Sequence, residues 1–327
     1  MEPISIRRAA FPASQILYFD EKAWILLARL PGSSSLVERL CSQAASHLIT
    51  VPLSSANIIE TVRTPELAQR ARLADLMIPL SRGITIAPHY ALVNAELESA
   101  IAKQFDREAK SLPTPFGVGA GFAFGDPPLR DIRRRFGDDQ VDILGRFLST
   151  QAGLRALLTG PFDSAFAQLS SEFVEGARRF AVDAQEARLT LRDISATRHR
   201  RYYAASLSSM IDPEIRAIAS RLDIQYDDLT ALGPAGLMRL FEQVPSLNVE
   251  IELGTQRNLF WNRLIAPNDL ADVASLSSGI PYSDIVVTEK FWATLAHRAK
   301  LNTRYGTAIL SGLDALSDAL SDLTDAA

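Results

Sequence analysis

Six acidic residues from widely separated segments stand where an α/β chain would place its chemistry: Asp20, Glu60, Asp269, Asp272, Asp284 and Glu289. Asp20 closes the apolar run 16–19, and Glu289 follows the compact run 285–288. Glu60 and Asp272 fall in the first turns of expected helices. In a parallel sheet functional groups collect beyond the carboxyl ends of the strands, so Asp20, Glu60, Asp272 and Glu289 are expected on one rim. Four acids at one place repel one another and are costly to desolvate, so they need a countercharge. A hard divalent cation, Mg²⁺ or Mn²⁺, prefers oxygen ligands and keeps several waters. Such an ion lowers the pKa of a bound water and stabilises a leaving oxygen, and the reaction that follows is phosphodiester hydrolysis. Asp269 could be the third ligand in place of Asp272. Asp284 opens its strand, and four extended residues at about 3.3 Å each put it roughly 13 Å from the strand's other end, which favours a structural role for it.

The elements that must position these acids alternate. Residues 16–19 read as a strand, followed by a helix that Pro31 and Gly32 stop. A helix over 35–46 leads into a β-branched strand near 48–53, and Ser54 and Ser55 can cap the next helix. Residues 84–87 are a third strand, and Pro88 opens a helix that reaches about 105. Alternation returns after 245, with a helix over 268–278, the strand 285–288, a helix over 290–299, a strand near 307–310 and an acidic amphipathic tail. These features predict an α/β fold with a three-layer, Rossmann-like parallel sheet. Between them, 112–130 is so rich in proline and glycine that it reads as a flexible loop. The stretch beyond it is helical throughout. The expected organisation is a core in two parts, 1–110 and 246–327, around an all-helical insertion, 111–245.

The pieces resemble the PIN-domain nucleases. That family places an Asp after the first strand, an acid near the start of the helix after the second, an Asp at the start of a later helix and a final acid in a Thr-x-Asp step. Here YFDEKAWILL supplies Asp20, VPLSSANIIET supplies Glu60, and NDLADVASLSSGIPYSDIVVTEKFW supplies Asp272 with Thr288 and Glu289. Two departures stand out: the last acid is Glu, and it follows Thr288 with no residue between them. The resemblance covers about residues 14–105 and 255–312. It implies a metal-dependent endonuclease, with RNA the expected substrate and DNA an alternative, working as a homodimer or under an inhibitory protein partner. The opposing reading is a PIN-like scaffold that has lost catalysis and binds RNA or protein through its insertion.

Each acid also has a plain structural reading. Asp20 suits a helix N-cap, Glu60 can pair with Arg63, Asp272 can cap a helix, Glu289 can be an exposed strand end, and Glu96 can lie on a helix surface. Two basic clusters are candidates for nucleic-acid contact: Arg133, Arg134 and Arg135 beside Arg130, and Arg198, Arg200 and Arg201 with Tyr202. A solvated helix face explains the same residues. The net charge of -4 provides no global positive field, so nucleic-acid contact must be local. A single cysteine, Cys41, rules out an internal disulfide and a Cys-rich zinc site. The four histidines lack metal-ligand spacing. GVGAGFAFG is neither a Rossmann fingerprint nor a P-loop. Without a secretory apolar stretch or a run long enough to cross a membrane, a cytoplasmic protein is the expectation.

Overall fold

A computed structural model describes residues 3–109, 114–125, 137–160 and 164–324. The chain divides into two compact units, one formed by 1–88, 115–174 and 278–327, the other by 89–114 and 175–277.

The first unit is built on a parallel four-stranded sheet in the order β2-β1-β5-β6. The strands are β1 (Gln15–Phe19), β2 (Ile49–Thr50), β5 (Ile285–Thr288) and β6 (Ala308–Ser311). Strands β1 and β5 are almost wholly apolar because helices cover both faces of a parallel sheet, and every residue of β5 is buried. Leu17 pairs with Ile285 and Phe19 with Val287, which puts the carboxyl ends of β1 and β5 side by side. Two further strands, β3 (Ile84–Ile86) and β4 (Phe116–Val118), form an antiparallel pair. One face of the sheet packs Leu17, Phe19, Val51 and Val287 against Trp24, Leu27, Leu40 and Ile58 of the covering helices. Close approach also demands a glycine: a Cβ on Gly279 would fall 2.5 Å from the Tyr18 ring.

The expectation of an irregular loop across 112–130 is corrected for its described part. Phe116, Gly117 and Val118 form β4, and Gly119–Phe124 is a short helix. Glycine permits this turn from strand to helix, since Gly119 has φ +81° and a Cβ there would collide with the Leu148 carbonyl oxygen. Its N–H donates to the Gly83 carbonyl at 2.8 Å, and the Thr85 hydroxyl donates to the Gly119 carbonyl at 2.9 Å. Residues 115–125 and 137–160 therefore group with the sheet. Arg70, itself buried, donates to the carbonyls of Leu158 and Gly160 at 2.9 and 2.7 Å and ties helix Gln151–Thr159 to helix Leu67–Ser81.

In the second unit the described residues are helical or connecting. Helix His89–Gln104 packs with Ala196–Met210, Asp212–Arg221, Gly233–Phe241 and Pro245–Leu259 around Leu97, Ile101, Ile218, Phe241 and Leu247. Burial of acids is matched by donors: Glu96 accepts from the Ser246 N–H and hydroxyl at 2.7 Å each, and Glu98 pairs with Arg221 at 2.7 Å. The divisions thus fall at 88/89, 114/115, 174/175 and 277/278. The sequence had set them near 110 and 245. Helix His89–Gln104 shares its apolar face with the helical unit, a preference that strand-helix alternation alone does not express. Among the described residues, no helix is long and apolar enough to cross a membrane.

Candidate acidic site

Strand β1 ends at Phe19, and the next residue turns the chain into helix Glu21–Arg29. Asp20 is that helix's N-cap: Oδ1 accepts from the Ala23 N–H at 2.8 Å, and Oδ2 accepts from the Glu289 N–H at 2.9 Å. The Asp20 N–H donates to the Val287 carbonyl at 3.1 Å, so the carboxyl ends of β1 and β5 are fastened together at this residue. Ser54 caps the neighbouring helix Ser55–Arg63 in a reciprocal capping box with Asn57, and the Asn57 amide donates to the Phe19 carbonyl at 3.2 Å. Tyr18 donates to the Ser54 hydroxyl oxygen at 3.0 Å. This lattice of caps fixes the first turns of both helices against the end of β1.

Four carboxyl groups from three segments interact here: Asp20, Glu21, Glu60 and Glu289. Burial raises the Asp20 pKa and the nearby Glu289 charge adds to the rise, while the adjacent Thr288 hydroxyl and the hydrogen bonds from the Ala23 and Glu289 amides oppose it. Burial also pushes Glu60 up to about 7, with Arg63 opposing and the charges of Asp20 and Glu289 adding to the rise. Glu21 is raised well above the ordinary glutamate range, first by burial and then by Glu60 and Asp20. Both Glu21 carboxyl oxygens are buried, and neither receives a hydrogen bond of acceptable geometry. The Asn57 amide is close enough to temper the Glu21 shift, but it is already committed to Phe19. Glu289 lies at the open edge, 48% exposed, with its Oε1 3.6 Å from the half-exposed Lys22 ammonium.

The expected acids therefore separate into groups. Asp20, Glu60 and Glu289 come together. Asp284 lies at the opposite end of β5, where Oδ2 accepts from the Ile16 N–H at 2.9 Å and Oδ1 meets Arg8 at 3.2 Å. It is a structural tie, as its place in the strand implied. Asp269 is corrected as a metal ligand: its oxygens take a bidentate pair from Arg263, both at 2.7 Å, and the Ala266 N–H at 3.1 Å. Asp272 lies in the first turn of helix Asp269–Tyr282 and, with Asp269, belongs to the helical unit. Sequence reasoning missed Glu21. Its signal was available, an acid directly after Asp20 in the first turn of a helix that packs beside Glu60.

Among the described residues, no three His, Cys, Asp or Glu side chains are grouped so as to hold a metal ion. The donor set is nonetheless all oxygen, with orphaned carboxylate atoms and no sulfur or imidazole, which suits a hard cation. Mg²⁺ is commonly held by one or two carboxylates with waters and substrate phosphates completing its shell, so a ready-made cage of three ligands is not required. Glu21 and Glu60 would hold it, since the Asp20 oxygens are already engaged.

Of the basic candidates, Arg200 is not free for a nucleic acid: its guanidinium is paired with Glu252 at 2.6 Å and Glu242 at 3.0 Å. Arg198, Arg201 and Tyr202 are exposed on helix Ala196–Met210. Arg130, Arg133, Arg134 and Arg135 lie outside the described residues. Comparison with family models, curated proteins and solved structures finds no match to this chain. The class of protein that fold and site define is an α/β protein with an acidic rim at the carboxyl ends of its central parallel strands.

Proposed function

We propose that the chain is a PIN-like, divalent-cation-dependent endonuclease that hydrolyses phosphodiester bonds, with RNA as the favoured substrate, acting in the cytoplasm. One observation carries the reading: carboxyl groups from three separate segments gather at the ends of β1 and β5, and the Glu21 oxygens are buried without a donor. A buried carboxylate without a partner is expensive, and a helix cap or a surface charge does not account for one. A divalent cation, when bound, supplies Lewis-acid activation of water and charge stabilisation on the leaving oxygen. Asp20 is held rigid by the Ala23 and Glu289 amides and fixes the geometry of the rim. Glu60, whose carboxyl titrates near neutral pH, is suited to give up its proton in exchange for the ion. Lys22 stands at the mouth, where a phosphate would displace its pairing with Glu289.

The test is cleavage of structured RNA, with single-stranded DNA in parallel, in Mg²⁺ or Mn²⁺. Asp20→Asn keeps an oxygen for the Ala23 cap, so the variant should fold yet lose cleavage, and Glu60→Gln should lose it too. A well-folded Glu60→Gln protein with full activity sinks the proposal. A second reading, a PIN-like scaffold without catalysis, is favoured by the lack of a grouped three-ligand set among the described residues. Thermal melting with Mn²⁺ separates the two, because a ligand of the folded state alone raises the midpoint.

A further inference from the structure

The helical unit carries a second feature that the acidic site does not use. The segment after helix Pro245–Leu259 presents Trp261, which is 38% exposed, and Leu264, which is 76% exposed. Arg188 holds this segment from beneath: fully buried, it donates to the Phe260 and Arg263 carbonyls at 2.7 Å each and lies with its guanidinium 4.5 Å from the Trp261 ring centre. Arg192, exposed on the same stretch of chain, places its guanidinium 5.9 Å from that ring centre. The His199 ring meets Trp261 edge-on at 6.2 Å, which brings the start of helix Ala196–Met210 alongside. Arg198, on the first turn of that helix, is exposed, as are Arg201 and Tyr202 three and four residues further along the same face.

The charges here are not balanced in the way of their neighbours. Arg263 is answered by Asp269 and Arg200 by Glu242 and Glu252. Among the described residues, Arg192, Arg198 and Arg201 have no ion pair, and the exposed Asp193 is the acid adjoining Arg192 in the chain. Guanidinium groups set beside a partly exposed indole and a tyrosine match a chain of phosphates spaced by flat bases: arginine answers the phosphate, and the ring offers a stacking face to any base. An acidic peptide would use the charge and leave the aromatic faces without a purpose. We propose that Trp261, with Arg192, Arg198 and Tyr202, is a stacking platform for single-stranded nucleic acid. The platform stands independently of the proposed hydrolysis.

The chain reports on this site by itself. Of its three tryptophans, Trp24 and Trp292 are 0% and 1% exposed, so quenching of indole fluorescence by an added ligand reads Trp261. Titration of the full chain with short oligo(rU) and oligo(dT), in EDTA so that no cleavage intervenes, should quench that fluorescence in a salt-dependent way. The two arms tell RNA from DNA. A labelled oligonucleotide read by anisotropy should bind about tenfold or more weakly to Trp261→Leu, the loss expected when one stacked base is forfeited. Arg192→Glu, a change at an exposed position, should weaken binding and flatten its salt dependence while leaving the melting temperature in place. Absence of quenching by both oligonucleotides overturns the platform. So does equal quenching by heparin or poly-glutamate, or unchanged affinity in both variants. A chain that binds oligonucleotide in this assay and cleaves none in Mn²⁺ would sink the nuclease reading alone.

Discussion

Glu60 offers the sharpest physical test of the acidic rim, because its burial fixes both the sign and the size of an effect on stability. In the unfolded chain its carboxyl titrates at the ordinary glutamate value of 4.5, and in the fold it titrates at about 7. The native state therefore holds a proton that the unfolded state releases across that interval, and stability falls as pH rises from about 4.5 to 7. Below the interval the group is neutral in both states and contributes nothing; above it the full penalty of burying the charge is present. At about 1.36 kcal/mol per pH unit, the penalty approaches about 3 kcal/mol above pH 7, and roughly 2.5 kcal/mol of it develops between pH 5 and pH 8. Glu60→Gln keeps the shape and removes the charge. In urea denaturation with EDTA present, the variant should match the parent near pH 5 to within about 1 kcal/mol and exceed it by about 2 to 3 kcal/mol near pH 8. The gain belongs to the cluster, since neutralising Glu60 also relieves Glu21. A stability difference that does not change with pH, or that favours the parent at pH 8, would refute the claim that this carboxyl is buried among like charges.

Three further outcomes follow from named contacts. Millimolar Mn²⁺ should raise the melting midpoint of the parent chain, by an amount equivalent to about 2.7 kcal/mol at a hundredfold excess over Kd, and Glu21→Gln should diminish the rise; differential scanning fluorimetry reads both. Asp284→Ala should cost about 2 kcal/mol in urea denaturation, since it orphans the Ile16 N–H and strips Arg8 of its partner, while cleavage by the folded protein is unaffected. Arg70→Met should cost about 2 to 3 kcal/mol, because the buried guanidinium serves the Leu158 and Gly160 carbonyls together; an unchanged urea midpoint would show those carbonyls to be satisfied by other means.

What could be read in the sequence was local. Strands β1 and β5 are apolar runs that end at an acid, and both the fold class and the rim positions of Asp20 and Glu289 follow from that pattern. The opposite placement of Asp284 follows from extended rise alone. Strand β4 was hidden because its glycines read as a break, although Gly119 at positive φ is what lets the strand turn into a helix. The pairing of Arg200 was hidden for another reason. Its partners Glu242 and Glu252 lie 42 and 52 residues away and meet it only through helix packing. Glu21 was missed because its carboxyl oxygens are buried only through the packing of helix Glu21–Arg29 beside helix Ser55–Arg63, a contact that no local pattern expresses.

The contrast between Asp20 and Glu21 bears most directly on function. Asp20 satisfies every requirement of a structural residue: one oxygen caps a helix, the other receives the Glu289 amide, and the pair joins two strands. Its presence would be explained if the protein had no activity. Glu21 caps nothing, receives no well-formed hydrogen bond and stands beside Glu60 and Asp20, so glutamine at that position would relieve repulsion and supply a donor. A residue whose charge opposes the fold calls for a countercharge that the folded chain alone does not provide. A proton and a divalent cation are the two candidates, and they compete for the same oxygens. Cation binding at the rim must then weaken as pH falls below about 7, where Glu60 takes up its proton. A cation bound at exposed carboxylates of ordinary pKa would hold on until about pH 4. The pH at which the Mn²⁺-induced rise in melting temperature disappears therefore tells a buried acidic site from a surface one, whatever reaction the site performs.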